Sequence, residues 1–149
     1  MQKCTLALGC FWKPEENFKN KPGIIETEVG YAGGGKPNVT YEEVCTGKTD
    51  HAEVVRLSFD EKIISFKKIL DLFFKMHDPT QKDMQFPDVG TQYRSEIFYE
   101  NEEQKKLAEK YKRLLGEKIS GKIETKISEL KNYCKAEEYH QKYIMKRGL

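Results

Sequence analysis

Apolar and polar residues alternate along several stretches of the chain, and the alternation predicts strands. Gln2–Leu8 ends in the apolar run Leu6-Ala7-Leu8 before Gly9 stops it. Ile25, Thr27, Val29 and Tyr31 alternate with Glu26, Glu28 and Gly30, the period of a half-buried strand. Glu53, Val55, Leu57 and Phe59 share one parity, and Val54, Arg56 and Ser58 the other. Residues 93–99, with Tyr93, Ser95, Ile97 and Tyr99 on one side, and the set Ile123, Thr125, Ile127 predict two more. Helical spacing takes over elsewhere. Ser65 caps a helix bearing Phe66, Ile69, Leu70, Phe73 and Met76, and Asn101 caps one bearing Leu107, Tyr111, Leu114 and Leu115. Shorter helices are expected over 14–20, from the capping box Thr40-Tyr41-Glu42-Glu43, and over 136–146. Residues 32–38, with three glycines and Pro37, form a loop, and 78–90 is a long loop of the kind that often carries function. Helices and strands interleave without strict alternation, so the expected architecture is one catalytic domain, 1–149, of α+β class: a mixed sheet with helices packed on it.

Composition narrows the function classes. With 149 residues the chain is long enough for a real core, and no apolar run approaches the ~20 residues that span a bilayer. The start, Met-Gln-Lys-Cys, lacks the apolar region of a secretory signal, so a cytoplasmic protein with reduced thiols is expected. Charge is nearly balanced, 26 basic against 24 acidic residues. The lysines are interleaved with glutamates rather than clustered, which reads as a solvated face and not a nucleic-acid patch. Four cysteines and three histidines show no metal-ligand spacing. The glycine run lacks the Gly-Lys-Ser/Thr that a phosphate loop needs.

The chemistry concentrates around Cys10. Pro14 followed by two glutamates has the composition of a helix's first turn, so Cys10 falls where a strand hands over to a helix. A thiol facing unpaired N–H groups is stabilised as thiolate, the nucleophilic form. The competing reading is a buried cysteine acting as a small hydrophobe, with Phe11 and Trp12 as core. Glu53 also has two readings. On the same side as three large apolar residues it is a carboxyl held protonated by desolvation, a proton donor near neutral pH. At the wet end of its strand it is an ordinary surface acid, which the rarity of unpaired buried glutamates favours.

Six segments change the balance. Gly9-Cys10-Phe11-Trp12, Glu28-Val29-Gly30-Tyr31-Ala32-Gly33-Gly34, Thr40-Tyr41-Glu42-Glu43-Val44-Cys45, His51-Ala52-Glu53-Val54-Val55, Pro87-Asp88-Val89-Gly90-Thr91-Gln92-Tyr93-Arg94-Ser95 and Ala136-Glu137-Glu138-Tyr139-His140-Gln141 resemble, in order, the A-type peptide methionine sulfoxide reductases. The resemblance implies a ferredoxin-like fold and reduction of the S epimer of methionine sulfoxide, free or in proteins. It implies Cys10 as nucleophile, Glu53 as the acid on the sulfoxide oxygen, and Tyr41 and Tyr93 as phenols bonded to that oxygen. Phe11 and Trp12 would hold the methyl group, with Asp88 in a pocket loop and no metal or organic cofactor. Attack would leave a sulfenic acid on Cys10, recycled by thioredoxin, glutaredoxin or a small thiol acting on a monomer. Many relatives carry resolving cysteines in a C-terminal tail, whereas this sequence ends at Arg147-Gly148-Leu149. Cys134 is therefore the expected resolving residue, unless an external thiol acts directly, while Cys4 reads as core and Cys45 as ordinary packing. Two other functions remain compatible with the residues, a thiol peroxidase and a non-catalytic domain gripping methionine-rich peptides.

Overall fold

A computed structural model describes residues 1–148. The alternating stretches become strands β1 (Gln2–Leu8), β2 (Ile24–Ala32) and β3 (Ala52–Phe59), joined by helices α1 (Trp12–Lys19) and α2 (Tyr41–Cys45). Helix α3 (Phe66–Met76) follows, then a small hairpin of β4 (Met84–Gln85) and β5 (Asp88–Val89), strand β6 (Ser95–Tyr99) and helix α4 (Glu102–Lys118). The chain closes with β7 (Lys126–Glu129), β8 (Cys134–Lys135) and helix α5 (Tyr143–Arg147).

Six strands form one sheet in the order β7-β6-β1-β3-β2-β8, antiparallel except for the parallel pair β6/β7. Its four central strands, β6-β1-β3-β2, with α1 and α3 as crossovers, make the β-α-β-β-α-β arrangement expected of a ferredoxin-like α+β fold. Strand parity decides the two faces. Leu6, Leu8, Val29, Tyr31, Val55, Leu57 and Phe59 point into the larger core, where α1 contributes Phe18 and α3 contributes Phe66, Ile69, Leu70 and Phe73. Burying those four α3 side chains stabilises by roughly 1.5–3 kcal/mol each. Ser65 and Asn101 cap their helices as the sequence predicts, accepting from the backbone N–H of Lys68 and Gln104. The opposite face carries a smaller cluster of Ala7, Ala32, Ala52, Val54 and Phe98 under Tyr133. No helix of the described residues is long and apolar enough to cross a membrane.

Three expectations are corrected. Tyr93 lies not on a strand but in a 3-10 turn, Thr91–Tyr93, because Arg94 turns inward. Its guanidinium bonds the Glu96 carboxylate at 2.6 Å and the carbonyls of Thr91 and Asp50 at 3.0 Å, which a continuous strand would forbid. The last expected strand begins three residues later, at Lys126, while buried Thr125 bonds Ser95. The expected helix over 136–146 is broken. Ala136 donates its N–H to Val29, the Gln141 amide clamps both polar groups of Val29, and Lys142 adopts φ 52° before α5 begins. Pairing with the edge of β2 outcompetes local helix propensity there.

Candidate active site

Cys10 stands at the strand-to-helix junction, two residues past β1 and two before α1. Gly9 makes the turn with φ +93°, and a Cβ on it would stand 3.0 Å from the Gln85 side chain. Glycine is thus required both by conformation and by the close approach of β4. The backbone N–H of Trp12, the first residue of α1, is directed at the Cys10 sulfur. That one donor does not prevail. Burial first, and then the negative charge that Glu53 carries when ionised, pushes the Cys10 thiol up to about 12.

Glu53 is only 1% exposed, so the surface-acid reading is overturned. It faces the larger core beside Tyr31, its register partner on β2. One carboxyl oxygen, Oε1, accepts the Phe11 backbone N–H at 3.2 Å, and the other, Oε2, is buried with no partner. Burial pushes this carboxyl up to about 8 against the opposing pull of the Phe11 N–H, so it holds its proton at neutral pH. A buried acid and a half-buried thiol sit within electrostatic reach of each other.

The phenols close around them. Tyr41 opens α2 behind the Thr40 cap, whose capping box with Glu43 forms as the sequence predicts. Glu137 fixes its position, accepting the Tyr41 backbone N–H at 2.9 Å and the Tyr31 hydroxyl at 2.7 Å. Tyr93 is held by the turn that Arg94 staples. Burial, chiefly, raises both phenols, Tyr93 to about 12, so both remain O–H donors through the physiological range. Asp88, half-buried on β5, lends negative potential to Cys10, Glu53 and Tyr93 alike.

An aromatic wall completes the site. Phe11 is fully buried against Tyr31 and His140, with ring centroids 5.7 and 5.2 Å apart. Trp12 is half-buried, stacked on Tyr143 at 3.9 Å, and donates its indole N–H to Nδ1 of His140 at 3.1 Å. His140 also packs on Tyr41 and Tyr139 at 4.5 and 4.2 Å. Among the described residues no group of three or more histidines, cysteines and acids is placed to hold a metal ion.

The structure brings together Cys10, Phe11, Trp12, Tyr41, Glu53, Asp88 and Tyr93, but not Cys134. That residue lies on β8, its thiol turned to the Val39 carbonyl at 3.6 Å. β8 is the sheet edge three positions from β1, the strand that leads into Cys10. Cys4 is buried in the core as expected, whereas Cys45 is exposed rather than packed. Sequence reasoning missed Cys45, Tyr31 and Glu137 as members of the site. The signal available for Cys45 was its spacing of four from Tyr41, which puts both on one face of a helix.

Comparison with known proteins gives a consistent result. The family model described as "Peptide methionine sulfoxide reductase" matches residues 2–148. The chain is 58% identical over 147 residues to a peptide methionine sulfoxide reductase MsrA of Pelagibacter ubique, covering 99% of this chain and 100% of that one. It superposes on the reduced form of Mxr1 from Saccharomyces cerevisiae with a TM-score of 0.92 at 40% identity, covering 99% of this chain and 86% of Mxr1. Mxr1 in complex with Trx2 is matched with a TM-score of 0.67 at 30% identity, over 95% of this chain and 84% of that one.

Proposed function

The chain belongs to the peptide methionine sulfoxide reductase family, and from that membership we propose the roles its residues take in the reaction. It is an oxidoreductase that reduces methionine sulfoxide to methionine, the reversal of a common oxidative lesion. The substrate is the S epimer, free or within oxidised proteins, and the whole chain acts as one catalytic domain.

The methyl group lies against Phe11 and Trp12, which directs the sulfoxide sulfur at Cys10 and its oxygen at Glu53. A sulfoxide is a poor electrophile, so attack succeeds only as charge on the oxygen is quenched. Glu53 gives its carboxyl proton to the oxygen, Tyr41 and Tyr93 donate hydrogen bonds to it, and the Cys10 thiol proton replaces the one Glu53 has given. The Cys10 sulfur bonds to the sulfoxide sulfur, and the protonated oxygen then passes to Cys10 as hydroxyl while that S–S bond and the substrate's S–O bond break. Methionine leaves reduced, and Cys10 is left oxidised as sulfenic acid. No net proton is taken up, which suits a site whose acid and thiol are both neutral at rest.

The observation that carries this reading is Glu53 Oε2, a buried carboxyl oxygen with no hydrogen-bond partner among the described residues, on an acid whose proton burial retains to about pH 8. A single turnover with methionine S-sulfoxide tests it. Cys10→Ser should release no methionine, and Glu53→Gln should slow release by about 10²–10⁴-fold, the usual contribution of a positioned general acid. A Glu53→Gln rate close to wild type removes Glu53 from the mechanism.

A dithiol of the thioredoxin type is the reductant, with glutaredoxin or a small thiol able to substitute; the yeast relative's complex with Trx2 supports this. All four cysteines are free, which fits a reducing cytoplasm.

A further inference from the structure

We propose that Cys45 is the resolving thiol of this enzyme, condensing with the sulfenic acid on Cys10 to give a disulfide that an external dithiol then opens. The inference rests on the reading of Cys10 as nucleophile and extends it by one step.

The placement of α2 carries it. Tyr41 and Cys45 are four residues apart on this helix and so share a face. Tyr41 is the member of that face whose surroundings are fixed, its backbone N–H held by Glu137. Its ring packs on His140 at 4.5 Å, and His140 packs on Phe11, the neighbour of Cys10, at 5.2 Å. The face of α2 that carries Tyr41 is therefore turned to the aromatic wall beside Cys10, and Cys45, one turn further on, interacts electrostatically with Cys10, Tyr93 and Glu53. The other two thiols have no such placement. Cys4 is buried under the helices on β1, and Cys134 is three strands away.

The capping box and Glu137 hold the start of α2, which leaves its last turn as the part able to shift. Of the helix's five residues only Val44 is buried, so bringing its last residue toward Cys10 disturbs little packing. Glycine with φ +77° at 47 ends the segment. The chemistry then balances without further reagents. The Cys45 sulfur attacks the Cys10 sulfur, the S–O bond of the sulfenic acid breaks, and its hydroxyl leaves with the Cys45 proton as water. Tyr41 and Glu53, which held the oxygen during its transfer, remain beside it as it departs. Of the two bridged sulfurs Cys45 is the exposed one, so an incoming dithiol attacks there and releases Cys10 as thiol, itself becoming a disulfide.

The test is a single turnover with methionine S-sulfoxide and no reductant, quenched in acid, with methionine and free thiols counted and cysteine peptides mapped by mass spectrometry. Wild type should release one methionine per chain, lose two thiols and give a Cys10–Cys45 linked peptide. Cys45→Ser and Cys45→Ala should each lose a single thiol, carry a dimedone-trappable sulfenic acid on Cys10, and stall in thioredoxin-driven turnover. Cys134→Ser should behave as wild type. A dimedone adduct on Cys10 persisting in wild type, a bridge from Cys10 to Cys4 or Cys134, or two thiols lost in Cys45→Ser overturns the proposal. Absence of a methionine burst in wild type would instead overturn the nucleophile reading on which it stands.

Discussion

The indole N–H of Trp12 points at Nδ1 of His140, 3.1 Å away, and that single bond orders the tautomer of one residue and the ring plane of the other. Burial lowers the His140 pKa, so the ring is neutral, and with Nδ1 accepting, its proton must sit on Nε2. Trp12 is thereby locked between this bond and the stack on Tyr143. His140→Phe keeps the aromatic packing and removes the acceptor. The expected loss is about 2- to 10-fold in kcat/KM, as a net hydrogen bond of roughly 0.5–1.5 kcal/mol implies, carried in KM more than kcat. Steady-state kinetics on methionine S-sulfoxide, read beside Trp12 fluorescence, checks it; unchanged kinetics would make the bond incidental.

Glu53 predicts a pH profile and a stability profile of defined sign. Its carboxyl is protonated below about pH 8 in the folded chain, so turnover that needs the proton declines as pH rises through that value. The unfolded chain releases the same proton near the ordinary value of 4.5, so stability falls as pH climbs from there toward 8. Glu53→Gln abolishes the alkaline decline in rate. It also raises stability at alkaline pH by on the order of 2–4 kcal/mol, with little gain under acid conditions. Denaturation of both proteins at two pH values decides the second half independently of activity.

Thiol reactivity should rank by exposure and protonation rather than by catalytic importance. At neutral pH iodoacetamide is expected to modify exposed Cys45 first and to spare Cys4 in the native protein. Cys10 should lag, gaining speed only at strongly alkaline pH, because burial holds its thiol up to about 12. Mass mapping of a labelling time course provides the ranking. Rapid neutral alkylation of Cys10 would contradict the neutral resting site.

Gly9→Ala tests the turn that delivers the nucleophile. Alanine at φ +93° is strained, and its methyl group meets Gln85 at 3.0 Å. The expected cost is about 1–3 kcal/mol in stability, and turnover should fall further than unfolding explains, since the displaced turn carries Cys10 itself. Thermal melts beside single-turnover rates separate the two.

Much of this architecture is legible in the sequence because a half-covered sheet enforces alternation. The parity of Glu53 with Val55, Leu57 and Phe59 places it on the core side before any coordinates do. Its burial was not legible, since pattern alone allowed the wet end of β3; its 1% exposure, with the Phe11 N–H bonded to it and Tyr31 opposite it in register, settles the question. Cys10 shows the reverse case. Its position at a helix N-terminus is read correctly, yet the pKa moves the other way, because burial outweighs the lone Trp12 N–H and burial is a property of the assembled fold. The stretch 136–146 reads as a helix by composition, but the Gln141 amide finds better partners on Val29. Cys45 reads as ordinary packing in the sequence because a five-residue helix leaves little periodicity from which to infer which way its faces turn.

Glu137, His140, Gln141 and Lys142 reach back to Tyr41, Trp12, Val29 and Glu15, so residues 137–142 grip elements made early in synthesis. A nascent chain still tethered to the ribosome, with that segment in the exit tunnel, has a sheet but no finished pocket. Truncation by a late frameshift or by proteolytic nicking near residue 136 should yield protein that lacks turnover even where the sheet survives.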